Sequence, residues 1–202
     1  MANNDRREKA RAIFREHGGL LRTKEAIRLG IHPRTLYGMR DVGELEQIGR
    51  GYYRLANLPQ VGNPDLVATA LAVPKGVICL ISALSYHGIG TQIPHTVDIA
   101  IEKDTKRPRI DYPPIRTFWF SGSAFTEGVQ VHDIDGVPVR IYSPAKAVAD
   151  CFKCRNKVGL DVALEALREV RRNRLATVDE LFQMATVCRV ANVMRPYLEA
   201  LA

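Results

Sequence analysis

Apolar residues recur at three- and four-residue spacing through most of the first 42 positions, the period of helices that bury one face. Ala10, Ile13, Phe14 and His17 fall on one side of a predicted helix that Asn3 or Asn4 can cap and Gly18-Gly19 can close. Thr23 stands where an N-cap belongs for a short second helix over 24–29, carrying Ala26, Ile27 and Leu29, and Gly30 supplies its left-handed stop. Pro33 has its φ preset for a first helical position while His32 before it is steered to extended backbone, so a third helix is predicted from Pro33 to about Val42. On it Leu36 and Met39 point inward, Arg34, Thr35, Gly38 and Asp41 outward, with Tyr37 and Arg40 on the flanks. The period then changes. Residues 44–48 and 52–55 read as two strands joined by Gly49-Arg50-Gly51, two glycines able to take positive φ, with Arg50 at the tip. Three helices and a two-stranded hairpin, in that order, are the elements of a winged helix-turn-helix.

The stretch 57–64 holds two prolines and a glycine and breaks both periods, which places a boundary between a winged domain over 1–56 and a second domain over 65–202. In the second, 64–73 and 83–87 read as helices, 77–81 as an apolar run, and 97–102 and 116–121 as strands. Residues 129–133 and 137–142 form a hairpin around Asp135-Gly136, and everything from Pro144 onward is helical. There Ala147, Val148, Cys151 and Phe152 line one face, Leu160, Ala163, Leu164 and Leu167 another, and Thr177 caps a helix over 178–186. The fold class is therefore α+β: an N-terminal winged helix-turn-helix followed by a larger mixed α+β C-terminal domain.

Charge sharpens this picture. Of 202 residues, 29 are Lys or Arg against 22 Asp or Glu, a net +7; residues 1–56 hold 12 basic against 7 acidic, so the winged segment carries most of the excess. An anionic partner is implied, nucleic acid above all. No apolar run is long enough for a membrane span and the N-terminus is polar, which points to a cytoplasmic protein without membrane contact. His32, Arg34, Thr35, Tyr37 and Gly38 occupy the start and outer face of the third helix, where a recognition helix touches base edges in the major groove; Arg34 is the candidate guanine reader. Arg22, Thr23 and Lys24 at the start of the second helix, and Arg50 on the wing, are candidates for phosphate contact. Tyr37 and Tyr52 can equally be core residues. Arg171 and Arg172 end a long helix beside Arg168 and Arg174, either compensating its dipole or offering a second backbone-contacting surface.

Chemistry beyond binding finds little footing. Cys151 and Cys154 match a C-x-x-C spacing, but no second pair supplies four zinc ligands, and both fall inside the predicted helix from Pro144. His87, His95 and His132 have no ligand spacing, and Ser82 and Ser85 lack nucleophile-elbow glycines. Asp98 and Glu102 share a strand face but at roughly 13 Å, too far to share one ion. Asp133 and Asp135 suit the hairpin turn itself. We expect no catalytic residues, no metal and no cofactor. The rival reading is a nucleic-acid-processing enzyme that uses Asp98 and Glu102 and receives its substrate from the winged domain.

The run Gly19-Leu20-Leu21-Arg22-Thr23-Lys24-Glu25-Ala26, then Leu29-Gly30-Ile31, Arg34-Thr35-Leu36-Tyr37, Gly43-Glu44-Leu45 and Gly49-Arg50-Gly51-Tyr52-Tyr53-Arg54-Leu55, resembles the N-terminal domain of the AbiEi antitoxins. The likeness continues more loosely through Ser82-Ala83-Leu84, His87-Gly88, Val97-Asp98-Ile99-Ala100-Ile101 and the stretch from Tyr142 to Asp150. That resemblance implies a transcriptional autorepressor binding inverted repeats at its own promoter. It also implies an antitoxin of a type IV abortive-infection system, countering a nucleotidyltransferase-like toxin without a stable complex. A stand-alone regulator with no toxin partner is the alternative within the same family. At Arg40 the family often has an apolar residue.

Overall fold

The computed structural model describes residues 2–58, 62–110 and 112–200. Its first six elements are α1 (Ala2–Glu16), β1 (Leu20–Arg22), α2 (Thr23–Arg28), α3 (Pro33–Asp41), β2 (Leu45–Gly49) and β3 (Tyr52–Leu55). The winged helix-turn-helix is present, with one strand more than the pattern showed. β1 pairs antiparallel with β3, so the wing is part of a three-stranded sheet in the order β1-β3-β2. Three residues between a glycine pair and a helix are too few to display alternation. Helix α1 starts at Ala2, which puts Asn4 inside its first turn instead of at the cap; the Asn3 side chain lies outside the described residues. Gly18 and Gly19 do close α1, both at positive φ, and the Gly19 N–H donates to the Phe14 carbonyl at 2.7 Å. Ala10 and Phe14 are buried, whereas His17 faces out with Nδ1 2.9 Å from the Ile13 carbonyl.

Pro33 opens α3 as expected, and Leu36 and Met39 are both fully buried against Phe14 and Ala26 in a small core completed by Leu21, Leu45 and Tyr53. The hairpin closes more tightly than a three-residue loop. Gly49 pairs with Tyr52 across a bulge at Ile48, and of the two glycines only Gly51 takes positive φ, at 74°.

The remaining elements are α4 (Pro64–Ala72), β4 (Val77–Ile78), α5 (Leu80–Tyr86), β5 (Val97–Glu102), β6 (Ile115–Phe120), α6 (Ser123–Thr126), β7 (Val129–Ile134), β8 (Val137–Tyr142), α7 (Pro144–Lys153), α8 (Arg155–Val158), α9 (Leu160–Arg172), α10 (Val178–Val187) and α11 (Ala191–Glu199). Strands β4 to β8 form one mixed sheet in the order β6-β5-β4-β8-β7. Asp135 and Gly136 both take positive φ in the β7–β8 turn, where the Gly136 N–H donates to the Asp133 carboxylate at 3.0 Å. The apolar run 77–81 splits: only Val77 and Ile78 are strand, and α5 begins at Leu80, earlier than the predicted 83. Helix α7 is buried along its whole length from Ala145 to Phe152 and is packed by α5, α9 and α10, so it is the hub of the domain. Its end at Lys153 puts Cys154 at the C-cap instead of inside the helix. Leu160, expected on an inward face, is 37 % exposed at the start of α9.

Two apolar cores follow this division, one per sheet. They are not isolated from one another: α4 packs against both β2 and β8, and Leu20 and Ile48 of the winged sheet touch the larger core. Pro59, Gln60 and Val61 of the expected linker lie outside the described residues.

Candidate nucleic-acid interface

The start of α3 is held by a residue whose capping role the sequence reading did not foresee. His32 is extended, at φ −66° and ψ 137°, and its Nδ1 accepts from the Arg34 N–H at 3.2 Å. A ring nitrogen that accepts must be unprotonated, so in this arrangement the hydrogen of a neutral His32 ring sits on Nε2. Arg34 and Tyr37 are exposed and Thr35 and Gly38 partly so, the outward set expected of a recognition helix. Arg40 is engaged within the helix, donating to Asp41 at 2.9 and 2.7 Å with its guanidinium 5.3 Å from the Tyr37 ring. Of the two tyrosines left open, Tyr37 is at the surface and Tyr52 half-buried; the core tyrosine is Tyr53, edge-on to Tyr37.

The concave surface of about 720 Å³ over this helix is lined by His32, Arg34, Thr35, Tyr37, Gly38 and Asp41 together with Arg6 and Arg7 of α1. Those two arginines were not among the sequence candidates. They lie on α1, remote in sequence from α3, and only the crossing of α1 over α3 brings them to the recognition helix. Arg7 is steadied there by Glu44 at 3.5 Å, and Glu44 also takes Arg11 at 3.1 Å.

The candidates around α2 separate. Thr23 is the first residue of α2, not its cap: its N–H and hydroxyl both donate to the Gly51 carbonyl, at 2.7 and 3.0 Å. Thr23 therefore ties the helix-turn-helix to the wing, and the residues next to this joint in sequence, Lys24 and Arg50, are exposed cations. Arg22 goes elsewhere. Its guanidinium lies 5.4 Å from the Tyr52 ring, in a cleft shared with the C-terminal domain. Arg171 and Arg172 are not equivalent: Arg172 is exposed and paired with Glu169 at 3.4 Å, while Arg171 is partly buried with Nε enclosed and unpartnered. A denser group of cations stands on the β5–β6 connection, where Lys103, Lys106, Arg107 and Arg109 are all exposed beside the exposed Trp119. Trp119 pins that loop by donating to the Thr105 carbonyl at 3.0 Å.

Of the two residues proposed for metal chemistry, Asp98 is committed to structure. Asp98 is buried and receives Arg116 through two bonds of 2.7 and 2.9 Å. Burial raises its pKa, against the pull of the Arg116 hydrogen bond and charge. Glu102 is exposed at the strand end. Among the described residues, no three His, Cys, Asp or Glu side chains gather as a metal-binding set. Within α7, Lys146 and Asp150 form a fully buried pair at 2.7 Å, and the Cys188 Sγ approaches Asp150 at 3.2 Å. Burial raises the Cys79, Cys151, Cys154 and Cys188 thiols, Cys188 to about 12.

Residues 8–56 match the family model described as a transcriptional regulator, AbiEi antitoxin. Over that segment the chain is similar to AbiEi-type regulators. The match spans most of α1 through β3, the same elements that carry the basic concave surface. The whole chain is similar in fold to the crystal structure of the RV2827C protein from Mycobacterium tuberculosis, with a TM-score of 0.64 over 100 % of this chain and 80 % of that one. At 11 % identity the likeness is one of fold. No curated protein matches the chain in sequence. None of the helices among the described residues is long and apolar enough to cross a membrane.

Proposed function

We propose that the chain is a cytoplasmic DNA-binding autorepressor and the antitoxin of a type IV abortive-infection pair, with α3 reading inverted repeats of its own promoter. One observation carries the DNA reading: the exposed face of α3 and two arginines of α1 share one concave basic surface, and two further exposed cations, Lys24 of α2 and Arg50 of the wing, stand on elements that the Thr23–Gly51 hydrogen bonds join. Base contacts specify and phosphate contacts position. Arg34, with no side-chain partner among the described residues, is the base reader, with His32, Thr35 and Tyr37 around it and Gly38 allowing close approach. Arg6, Arg7, Lys24 and Arg50 hold the backbone. The toxin target, a nucleotidyltransferase-like protein, and the absence of a stable complex with it rest on the family resemblance; co-expression with such a neighbour, scored for rescued growth without co-purification, tests both. Non-enzymatic action is supported by the Asp98–Arg116 pair, which a metal role for Asp98 would have to break.

The direct test compares two substitutions on promoter and random duplex. Arg34→Ala should lose about 1–3 kcal/mol of discrimination and little non-specific affinity. Arg50→Ala should weaken both duplexes alike and flatten the salt dependence by about one contact, a log-log slope change of roughly 0.9. Equal losses on both duplexes for Arg34→Ala would remove it from the reading role.

A further inference from the structure

Between the winged sheet and the C-terminal domain lies a cleft of about 480 Å³, within the ~300–1,000 Å³ range of small-molecule sites, which favour such junctions. Its walls come from segments remote in sequence: Leu20 and Tyr52 from β1 and β3, Leu71 from α4, and Val137 and Pro138 from the β7–β8 hairpin. Two guanidiniums line it, Arg22 at the end of β1 and Arg140 on β8. Arg22 lies 5.4 Å from the Tyr52 ring, and Arg140 is fixed by donating to the Lys75 carbonyl at 2.8 Å. Neither has a carboxylate within 4.0 Å among the described residues, and the one acid on the wall, Glu25, approaches Arg28 at 3.8 Å. An apolar cleft with two uncompensated cations is complementary to an anion that carries an apolar body.

We propose that this cleft binds a small organic anion, an aryl or acyl carboxylate, its charge held by Arg22 and Arg140 and its body against Leu20, Leu71 and Pro138. Inorganic phosphate would satisfy the cations and leave the apolar walls uncovered. Occupancy also reaches the DNA-binding surface. Arg22 immediately precedes Thr23 and Tyr52 immediately follows Gly51, the two residues whose hydrogen bonds join α2 to the wing. A ligand bridging the two arginines therefore fixes the wing-bearing sheet against the β7–β8 hairpin and alters operator affinity. This coupling rests on the DNA-binding reading above; the site itself does not.

The full chain is titrated with the fluorescent arylsulfonate 1-anilinonaphthalene-8-sulfonate, and salicylate and inorganic phosphate are used as competitors. One saturable site per chain is expected, displaced by salicylate in preference to phosphate and weakened about tenfold or more by Arg22→Gln and by Leu71→Trp, which fills the cleft. Thermal unfolding in parallel shows whether each variant is folded, and Arg174→Gln, an exposed cation outside the cleft, should bind as the parent does. Absent or non-saturable binding overturns the proposal, as does a site untouched by both cleft substitutions. Displacement by phosphate as strong as by salicylate overturns the organic-body assignment. In a second arm, promoter duplex is titrated with and without salicylate at constant ionic strength, and an affinity change of about threefold or more is expected. Unchanged affinity with salicylate still bound overturns the coupling alone. Absence of duplex binding both with and without salicylate, with the probe site intact, overturns the DNA reading and leaves the site in place.

Discussion

His87 shows what a single side chain gains from its surroundings. It ends α5, where its Nε2 donates to the Tyr142 carbonyl at 2.8 Å, and its ring lies 5.8 Å from that of His132 on β7 with Tyr86 against both. Burial lowers its pKa below the ordinary 6.5; the Tyr142 bond opposes this and the neighbouring His132 adds to it. A histidine held neutral in the fold binds fewer protons than in the unfolded chain, so its contribution to stability is present above pH 6.5 and declines as pH falls through that value toward the folded pKa. Unfolding by denaturant between pH 7.5 and about 5 should accordingly show falling stability. His87→Gln, whose amide can still donate to Tyr142, should flatten that slope; an unaltered slope would mean that His87 titrates alike in both states. Lys146 and Asp150 are the opposite case, a buried charge pair whose partners satisfy one another, and removal of one partner from such a pair usually costs about 3–5 kcal/mol.

Among the elements, the link between α2 and the wing decides how rigidly the recognition helix is presented. A six-residue helix has little stability of its own, and here the Gly51 carbonyl takes both its first N–H and its Thr23 hydroxyl. Thr23→Val keeps the β-branched shape and the backbone bond while removing the hydroxyl, a loss of about 0.5–1.5 kcal/mol. We expect a small drop in melting temperature and a modest, sequence-independent loss of duplex affinity. If affinity fell as far as in Arg50→Ala with stability unchanged, the Thr23 hydroxyl would be a phosphate contact in its own right.

For the whole molecule the question is how independent the two cores are and how much DNA each covers. The winged unit has its own buried cluster around Phe14, Leu36 and Met39, so residues 1–58 should fold alone as a separate domain. Its stability should be low, because Leu20 and Ile48 would lose their packing against α4 and the larger core. Salt titrations of this fragment and the full chain on one duplex should give a steeper slope for the full chain, by about 0.9 per added phosphate contact. Two triple or double substitutions then assign the difference: Lys106, Arg107 and Arg109 to Ala against Arg171 and Arg172 to Ala. Identical slopes for fragment and full chain would confine DNA contact to the winged unit. An unfolded fragment would mean that the two cores form one cooperative unit.

Much of this architecture was legible in the one-dimensional pattern. Helix α3 announced itself through Pro33, the Leu36–Met39 spacing and Gly43, and the β7–β8 hairpin through Asp135-Gly136, because caps, turn glycines and short-range periodicity are local and act the same way wherever the chain goes. The exposed face of α3 could be named for the same reason, since burying Leu36 and Met39 forces Arg34, Thr35 and Tyr37 outward. Strand β1 was not legible, nor the placement of Arg6 and Arg7 over α3, the diversion of Thr23 to Gly51 and of Arg22 into the junction cleft, or the meeting of His87 with His132. Each depends on a partner far away in sequence, and hydrogen bonds, ion pairs and clefts between such partners exist only once helices cross and sheets close. The chain itself determined most of its helices, the hairpin strands and the buried face of α3, because those signals are local; tertiary packing alone decided strand β1 and which exposed cations share a surface.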